Sequence, residues 1–142
     1  MCLIRTAELG DAPSLHELFI QLGYQTKLDD LCSKINGIDE SFNVLVAEFN
    51  EKICGVIVVN FICPVHEDGL WAIISALVID ESYRGKGLGK KLRTTSEQLA
   101  LEKKCSRIEL ASGEKRIRAH QFYESNGYRE VRKRFVKHLV DN

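Results

Sequence analysis

The sequence is short of several things at once. It has only 2 prolines, 1 methionine and 1 tryptophan, and it has no excess of either charge, because 20 Lys and Arg face 20 Asp and Glu. A chain that coats nucleic acid by neutralising phosphates carries a basic excess, so no nucleic-acid partner is expected. Disorder is not expected either, since 44% of the residues are hydrophobic and the net charge is nil. Near the start, Leu3-Ile4 runs straight into Arg5, far short of an export signal or a spanning helix. The expectation is an intracellular, cytoplasmic protein without membrane contact. Cys2, Cys32, Cys54, Cys63 and Cys105 are odd in number and contain no C-x-x-C pair, which suits neither a disulfide framework nor a zinc site. No metal is expected, and Cys54 and Cys63, lying in apolar runs, read as small buried hydrophobes.

What remains is the material for one compact domain of 142 residues. No linker, repeat or low-complexity stretch interrupts it, so 1–142 reads as a single α/β domain. A short strand at 3–6 precedes a helix opened by Asp11 as candidate N-cap, with Leu15, Leu18, Phe19 and Leu22 on one face and Gly23 at its end. A second helix, 26–36, repeats the spacing with Leu28, Leu31, Cys32 and Ile35. Strands follow at 43–49 and 53–62 around a polar turn, and again at 70–79 after a polar loop. The pattern then returns to a helix from Leu88, a strand at 107–111, a helix at 116–126 closed by Gly127, and an extended basic segment at 128–140. The order is β-α-α-β-β-β-α-β-α-β.

Between the third long strand and its helix stands Arg84-Gly85-Lys86-Gly87-Leu88-Gly89. Alternate glycines permit tight backbone turns and clear side chains away, so successive N–H groups at a helix N-terminus can face an anion. Arg84, Lys86 and Lys90 add positive charge to it; a plain strand-to-helix turn needs none. Two familiar phosphate loops do not fit. A Walker A loop needs Ser or Thr after Gly-Lys, and Lys91 follows Gly89-Lys90. A dinucleotide fingerprint needs its third glycine one residue later than Gly89.

The segment 78–89 instead resembles the Arg/Gln-x-x-Gly-x-Gly/Ala acyl-CoA pyrophosphate loop of the GNAT superfamily of N-acetyltransferases. A second segment, Ala119-His120-Gln121-Phe122-Tyr123-Glu124-Ser125-Asn126-Gly127-Tyr128, is similar to that family's Ala-x-x-Phe/Leu-Tyr-x-x-x-Gly-Phe/Tyr stretch. The order of elements matches along essentially the whole chain. The resemblance implies the GNAT fold, a mixed and mostly antiparallel central sheet flanked by helices. It also implies acetyl-CoA as co-substrate and a small-molecule or peptide amine as acceptor. By the same resemblance, Leu77, Val78, Ile79, Arg84, Gly85, Lys86, Gly87, Leu88, Gly89 and Lys90 are cofactor-binding, and a homodimer is an expectation because dimers are frequent in the family.

Tyr123 aligns with the tyrosine that family members place near the thioester sulfur as general acid. A phenol of pKa about 10 is protonated at neutral pH and can supply a proton to a departing thiolate; an aromatic packing role is the other reading. His120 could relay a proton or simply pack. Many members carry a glutamate where this sequence has Ser75, which leaves the general base unassigned. Ser75 could position a water while Glu67, Asp68 or Glu109 receives the proton. Acidic groups in 66–68 and the segment 21–24 are expected on the acceptor side. The alternative function is a non-catalytic acyl-CoA-binding regulatory module. The basic residues Arg116, Arg118 and those in 129–137 could meet the 3′-phosphate of coenzyme A, or serve as a solvated strand edge.

Overall fold

Strands β1 (Cys2–Thr6), β2 (Phe42–Phe49), β3 (Lys52–Ile62), β4 (Leu70–Ile79) and β5 (Cys105–Leu110) form one sheet in the order β1-β2-β3-β4-β5. The computed structural model describes residues 2–110, 121, 123–129 and 135–140. The chain divides into two compact units, Met1–Ala111 and Ser112–Asn142. In the first, β1 through β4 pair antiparallel and β5 joins β4 in parallel, the crossover being helix α3 (Leu88–Glu102).

Both faces of the sheet are covered, which explains why its inner strands are nearly continuous runs of apolar residues. Strand alternation sends Val44 and Val46 of β2 and Val56 of β3 to one face. There they meet Leu15 and Leu18 of α1 (Ala12–Leu22) and Leu31 and Ile35 of α2 (Leu28–Asn36). Leu45, Ala47, Ile57 and Ile74 point to the opposite face and pack with Leu92 of α3. Leu92 is fully buried, so truncating it to Ala removes about 2–5 kcal/mol of stability. Gly55 of β3 is small for a reason of space: a Cβ there would stand 2.7 Å from Ile79 Cδ1 and 3.2 Å from Leu92 Cδ1.

Several expectations are corrected by tertiary context. Asp11 stands before α1 but its side chain caps no α1 amide. It accepts two bonds from the Arg5 guanidinium, at 2.8 and 3.0 Å, and one from the Glu8 N–H at 2.7 Å. Arg5 also reaches Glu48 at 2.9 Å, so this network joins β1, the 3-10 turn Leu9–Asp11 and β2. Cys54 is buried as expected, but Cys63 is exposed, because it lies just past the end of β3. Helix α2 starts at Leu28, two residues later than its apolar pattern suggests, and β5 starts two residues earlier, at Cys105.

In the second unit, residues 121 and 123–125 are helical, while 116–120 lie outside the described residues. Of the expected last strand at 128–140, residues 130–134 also lie outside them, and residues 128–129 and 135–140 are not in strand. Among the described residues no helix is long and apolar enough to cross a membrane.

Candidate active site

The register between β3 and β4 breaks at one place. Val58 pairs with Ala76 and Val59 with Ile74, so Ser75 is an extra residue on β4, a β-bulge. Pairing with β5 runs along β4 only as far as Ile74, opposite Leu110. Among the described residues, β4 beyond the bulge therefore has β3 on one side and no strand on the other. The Asp80 N–H donates to the Cys54 carbonyl at 2.8 Å. Strand alternation then turns the peptide groups of Leu77 and Ile79 away from β3, toward the open edge. The Arg84 Nε–H donates to the Ile79 carbonyl at 3.2 Å, in keeping with that direction.

This open edge runs directly into the glycine turn. Asp80 accepts the Ser82 N–H at 2.9 Å and starts the 3-10 turn Glu81–Tyr83. Gly85 and Gly87 then take φ of +79° and +78°, a left-handed conformation that costs an L side chain about 1–2 kcal/mol. Among the described residues a Cβ at either would meet nothing within 4 Å, so their bareness leaves space outside the backbone. Gly89 is different: its φ is ordinary and a Cβ would rest 3.8 Å from Ile79 Cγ1, so neither backbone nor packing within the protein demands glycine there. Lys91 N–H is the first to bond back along α3, to the Gly87 carbonyl at 3.1 Å. The amides of Leu88, Gly89 and Lys90 are thus the unpaired first-turn donors of a fifteen-residue helix. The Leu88 side chain is buried in the core, so Leu88 can serve a ligand through its backbone alone. The side chains of Arg84, Lys86 and Lys90 are exposed.

The end of α1 sits beside this turn, because Gln21 Oε1 accepts the Glu81 N–H at 3.2 Å. Gly23, at φ +105°, closes α1 by donating to Ile20, while Tyr24 donates to Phe19, the paired bonds of a Schellman cap. On β4 and the loop before it, Trp71 Nε1–H donates to Glu67 at 2.9 Å. Arg107 lies 3.7 Å above the Trp71 ring and pairs with Glu67 at 3.3 Å and Glu109 at 3.0 Å. Two of the three carboxylates considered as proton acceptors therefore share one guanidinium. Asp68 is exposed. Ser75 Oγ accepts from Asn60 Nδ2 at 2.9 Å, which leaves its hydroxyl proton available to another partner. The Trp71–Arg107 stack escaped the sequence reading; the β4–β5 register that makes these residues neighbours has no local signature. Among the described residues no three His, Cys, Asp or Glu side chains gather where a metal could be held.

Tyr123 belongs to the second unit, and its surroundings there are informative. Tyr128 N–H donates to the Tyr123 carbonyl at 3.0 Å and Gly127 N–H to Glu124 at 3.2 Å, with Gly127 at φ +90°. This is a second Schellman cap, and the Tyr123 and Tyr128 rings lie 5.8 Å apart, the hydrophobic contact that such caps carry. The Tyr-x-x-x-Gly-Tyr spacing thus has a structural basis of its own. His120, Arg116 and Arg118 lie outside the described residues.

Comparison with known proteins now decides the lineage. A family model described as the acetyltransferase (GNAT) family matches residues 12–128. The chain belongs to that family. It is 27% identical to an aminoalkylphosphonate N-acetyltransferase of Salmonella typhimurium over 144 aligned positions, covering 98% of this chain and 92% of that protein. Over 51 residues it is 47% identical to a spermine/spermidine N(1)-acetyltransferase of Bacillus subtilis, a match that covers 35% of this chain and 34% of the relative. The crystal structure of a GNAT family acetyltransferase from Staphylococcus aureus superposes with a TM-score of 0.79 at 26% identity, covering 97% of this chain and 98% of that one. The sheet and glycine turn described above are therefore those of a GNAT acetyltransferase.

Proposed function

We propose that this GNAT protein transfers an acetyl group from acetyl-CoA to a small primary amine, by direct attack in a ternary complex. The observation that carries this reading is the edge of β4 that no strand covers among the described residues, leading into a turn where the same residues leave space at Gly85 and Gly87. An extended amide-bearing arm fits an unpaired strand edge, and a pyrophosphate fits first-turn amides. In this reading Leu77 and Ile79 bond the arm through their peptide groups, with Val78 between them anchored in the core. The amides of the turn, with Arg84, Lys86 and Lys90, hold the phosphates. The family match runs across both units of the chain, which supports treating 1–142 as one catalytic domain.

Acetyl-CoA supplies an activated acyl carbon. The amine nitrogen forms the new C–N bond as the C–S bond breaks, and the released thiolate takes a proton. Tyr123 is our candidate donor of that proton. An alkylammonium of pKa about 10.4 must lose a proton before attack. We assign to Ser75, on the bulge, the orienting of a water for that step, a role its free hydroxyl proton supports. A covalent acyl-cysteine route is disfavoured, because no cysteine lies in the glycine turn or beside Tyr123 in the sequence, and burial pushes the Cys54 and Cys105 thiols up. The relatives are named for an aminoalkylphosphonate and for spermine and spermidine, which supports a small amine as acceptor.

The test is an amine panel, including aminoalkylphosphonates and polyamines, incubated with acetyl-CoA while free thiol release is followed. Amine-dependent release supports the proposal; binding of acetyl-CoA without transfer to any amine would favour the non-catalytic module.

A further inference from the structure

Lys52 opens β3 at the foot of the β2–β3 hairpin, thirty-odd positions before the glycine turn in the chain, yet it ends up beside it. Its Nζ lies 5.3 Å from the centre of the Tyr83 ring, and Lys86 Nζ lies 5.2 Å from the same centre. Phe49 meets Tyr83 edge-on at 6.0 Å, so the hairpin supports the ring that both lysines approach. Among the described residues, no carboxylate pairs with either ammonium. Asp80, an acid close by in the chain, has a carboxylate oxygen engaged by the Ser82 amide.

We propose that Lys52, Tyr83 and Lys86 form a subsite for a phosphate monoester, the 3′-phosphate of coenzyme A, with Lys52 as its outlying binding residue. The proposal rests on the cofactor reading above and extends it to a residue outside the glycine turn. Two ammoniums gathered on one ring, neither paired with a carboxylate among the described residues, repel each other, and exposed cation–π contacts return little against that repulsion. A phosphate monoester carries about −1.5 to −2 charges at neutral pH and converts that repulsion into attraction. The first-turn amides of α3 suit the pyrophosphate, so the lysine pair supplies a second positive centre for the second anionic group of the same ligand. Contact with the Tyr83 ring restrains each ammonium, a form of preorganisation.

Calorimetric titration of coenzyme A and 3′-dephospho-coenzyme A into the full chain tests this. The wild type is expected to bind coenzyme A about tenfold more tightly than the dephospho form. That preference should shrink between about 50 mM and about 500 mM salt. Lys52→Gln should weaken coenzyme A about five- to tenfold while leaving the dephospho form within about twofold, and Lys52→Arg should restore most of the loss. A wild type that does not distinguish the two ligands, or a Lys52→Gln variant that weakens both equally, overturns the subsite and leaves the cofactor reading standing. Absence of binding by both ligands overturns the cofactor reading and the subsite with it. The wild-type ligand and salt comparisons need no variant, so they decide the matter even if Lys52→Gln folds poorly.

Discussion

Asp11 illustrates how a residue can hold its expected position and do different work. The Arg5 guanidinium, bonded to both carboxylate oxygens, holds Asp11 below the usual carboxylate range, with burial opposing and the Glu8 amide assisting. A depressed folded-state pKa contributes stability above the unfolded value of about 3.9, and that contribution is lost as pH falls through the folded value. Asp11→Asn should therefore cost about 2 kcal/mol at pH 7, and the difference from wild type should vanish at strongly acidic pH; urea unfolding across pH measures it. Tyr123→Phe keeps the ring that packs on Tyr128 and removes only the hydroxyl. A loss of roughly 100-fold or more in turnover with unchanged coenzyme A affinity is expected for a proton donor. Unchanged turnover would leave Tyr123 only its capping role. The type of each residue was legible from the sequence. Its partner was not, because Glu48 meets Arg5 through strand register across forty-odd positions, and Asp11 meets it only where the 3-10 turn folds back on β1.

Among the elements, β4 has bounds that follow directly from its residues, since an apolar run from Leu70 to Ile79, interrupted by Ser75 alone, ends at Asp80. The β2–β3 turn narrows to Asn50-Glu51, both at positive φ (51° and 65°), a two-residue hairpin loop of the type that favours Asn-Gly. Glu51 is thus strained, and Glu51→Gly should stabilise the protein by about 0.5–1 kcal/mol in chemical denaturation. The glycine turn gives a sharper comparison. Gly87→Val places a β-branched side chain at left-handed φ and in the space outside the turn, so both stability and coenzyme A affinity should fall. Gly87→Asn tolerates that φ, so it should leave stability within about 1 kcal/mol while still weakening coenzyme A about tenfold or more. Calorimetry that finds Gly87→Asn as tight as wild type would sink the phosphate assignment. The bulge at Ser75 had no local sign, since Ser75 lies in an otherwise regular strand and is extra only relative to β3.

For the whole molecule, a ligand that binds only the folded chain must stabilise it. Acetyl-CoA at about 100 times its Kd should add about 2.7 kcal/mol, raising Tm by roughly 5–10 °C; a thermal scan with no shift would count against cofactor binding. The balance of 20 basic against 20 acidic residues is consistent with this, because it argues only against an extended polyanion and says nothing about one small anionic ligand. By itself the sequence determined the resemblance to the family, through two short motif segments, and the order of elements through β5 with the glycine turn that follows β4, since motif, periodicity and glycine spacing are local and are written in consecutive positions. Only the tertiary structure decided that, among the described residues, β4 has no strand on its second side beyond Ser75, that Glu67 and Glu109 share Arg107, and that Lys52 stands at the glycine turn. Each of these depends on which strand lies beside which and in what register. Register is set by packing the two faces of the whole sheet at once, so no single stretch of sequence carries it.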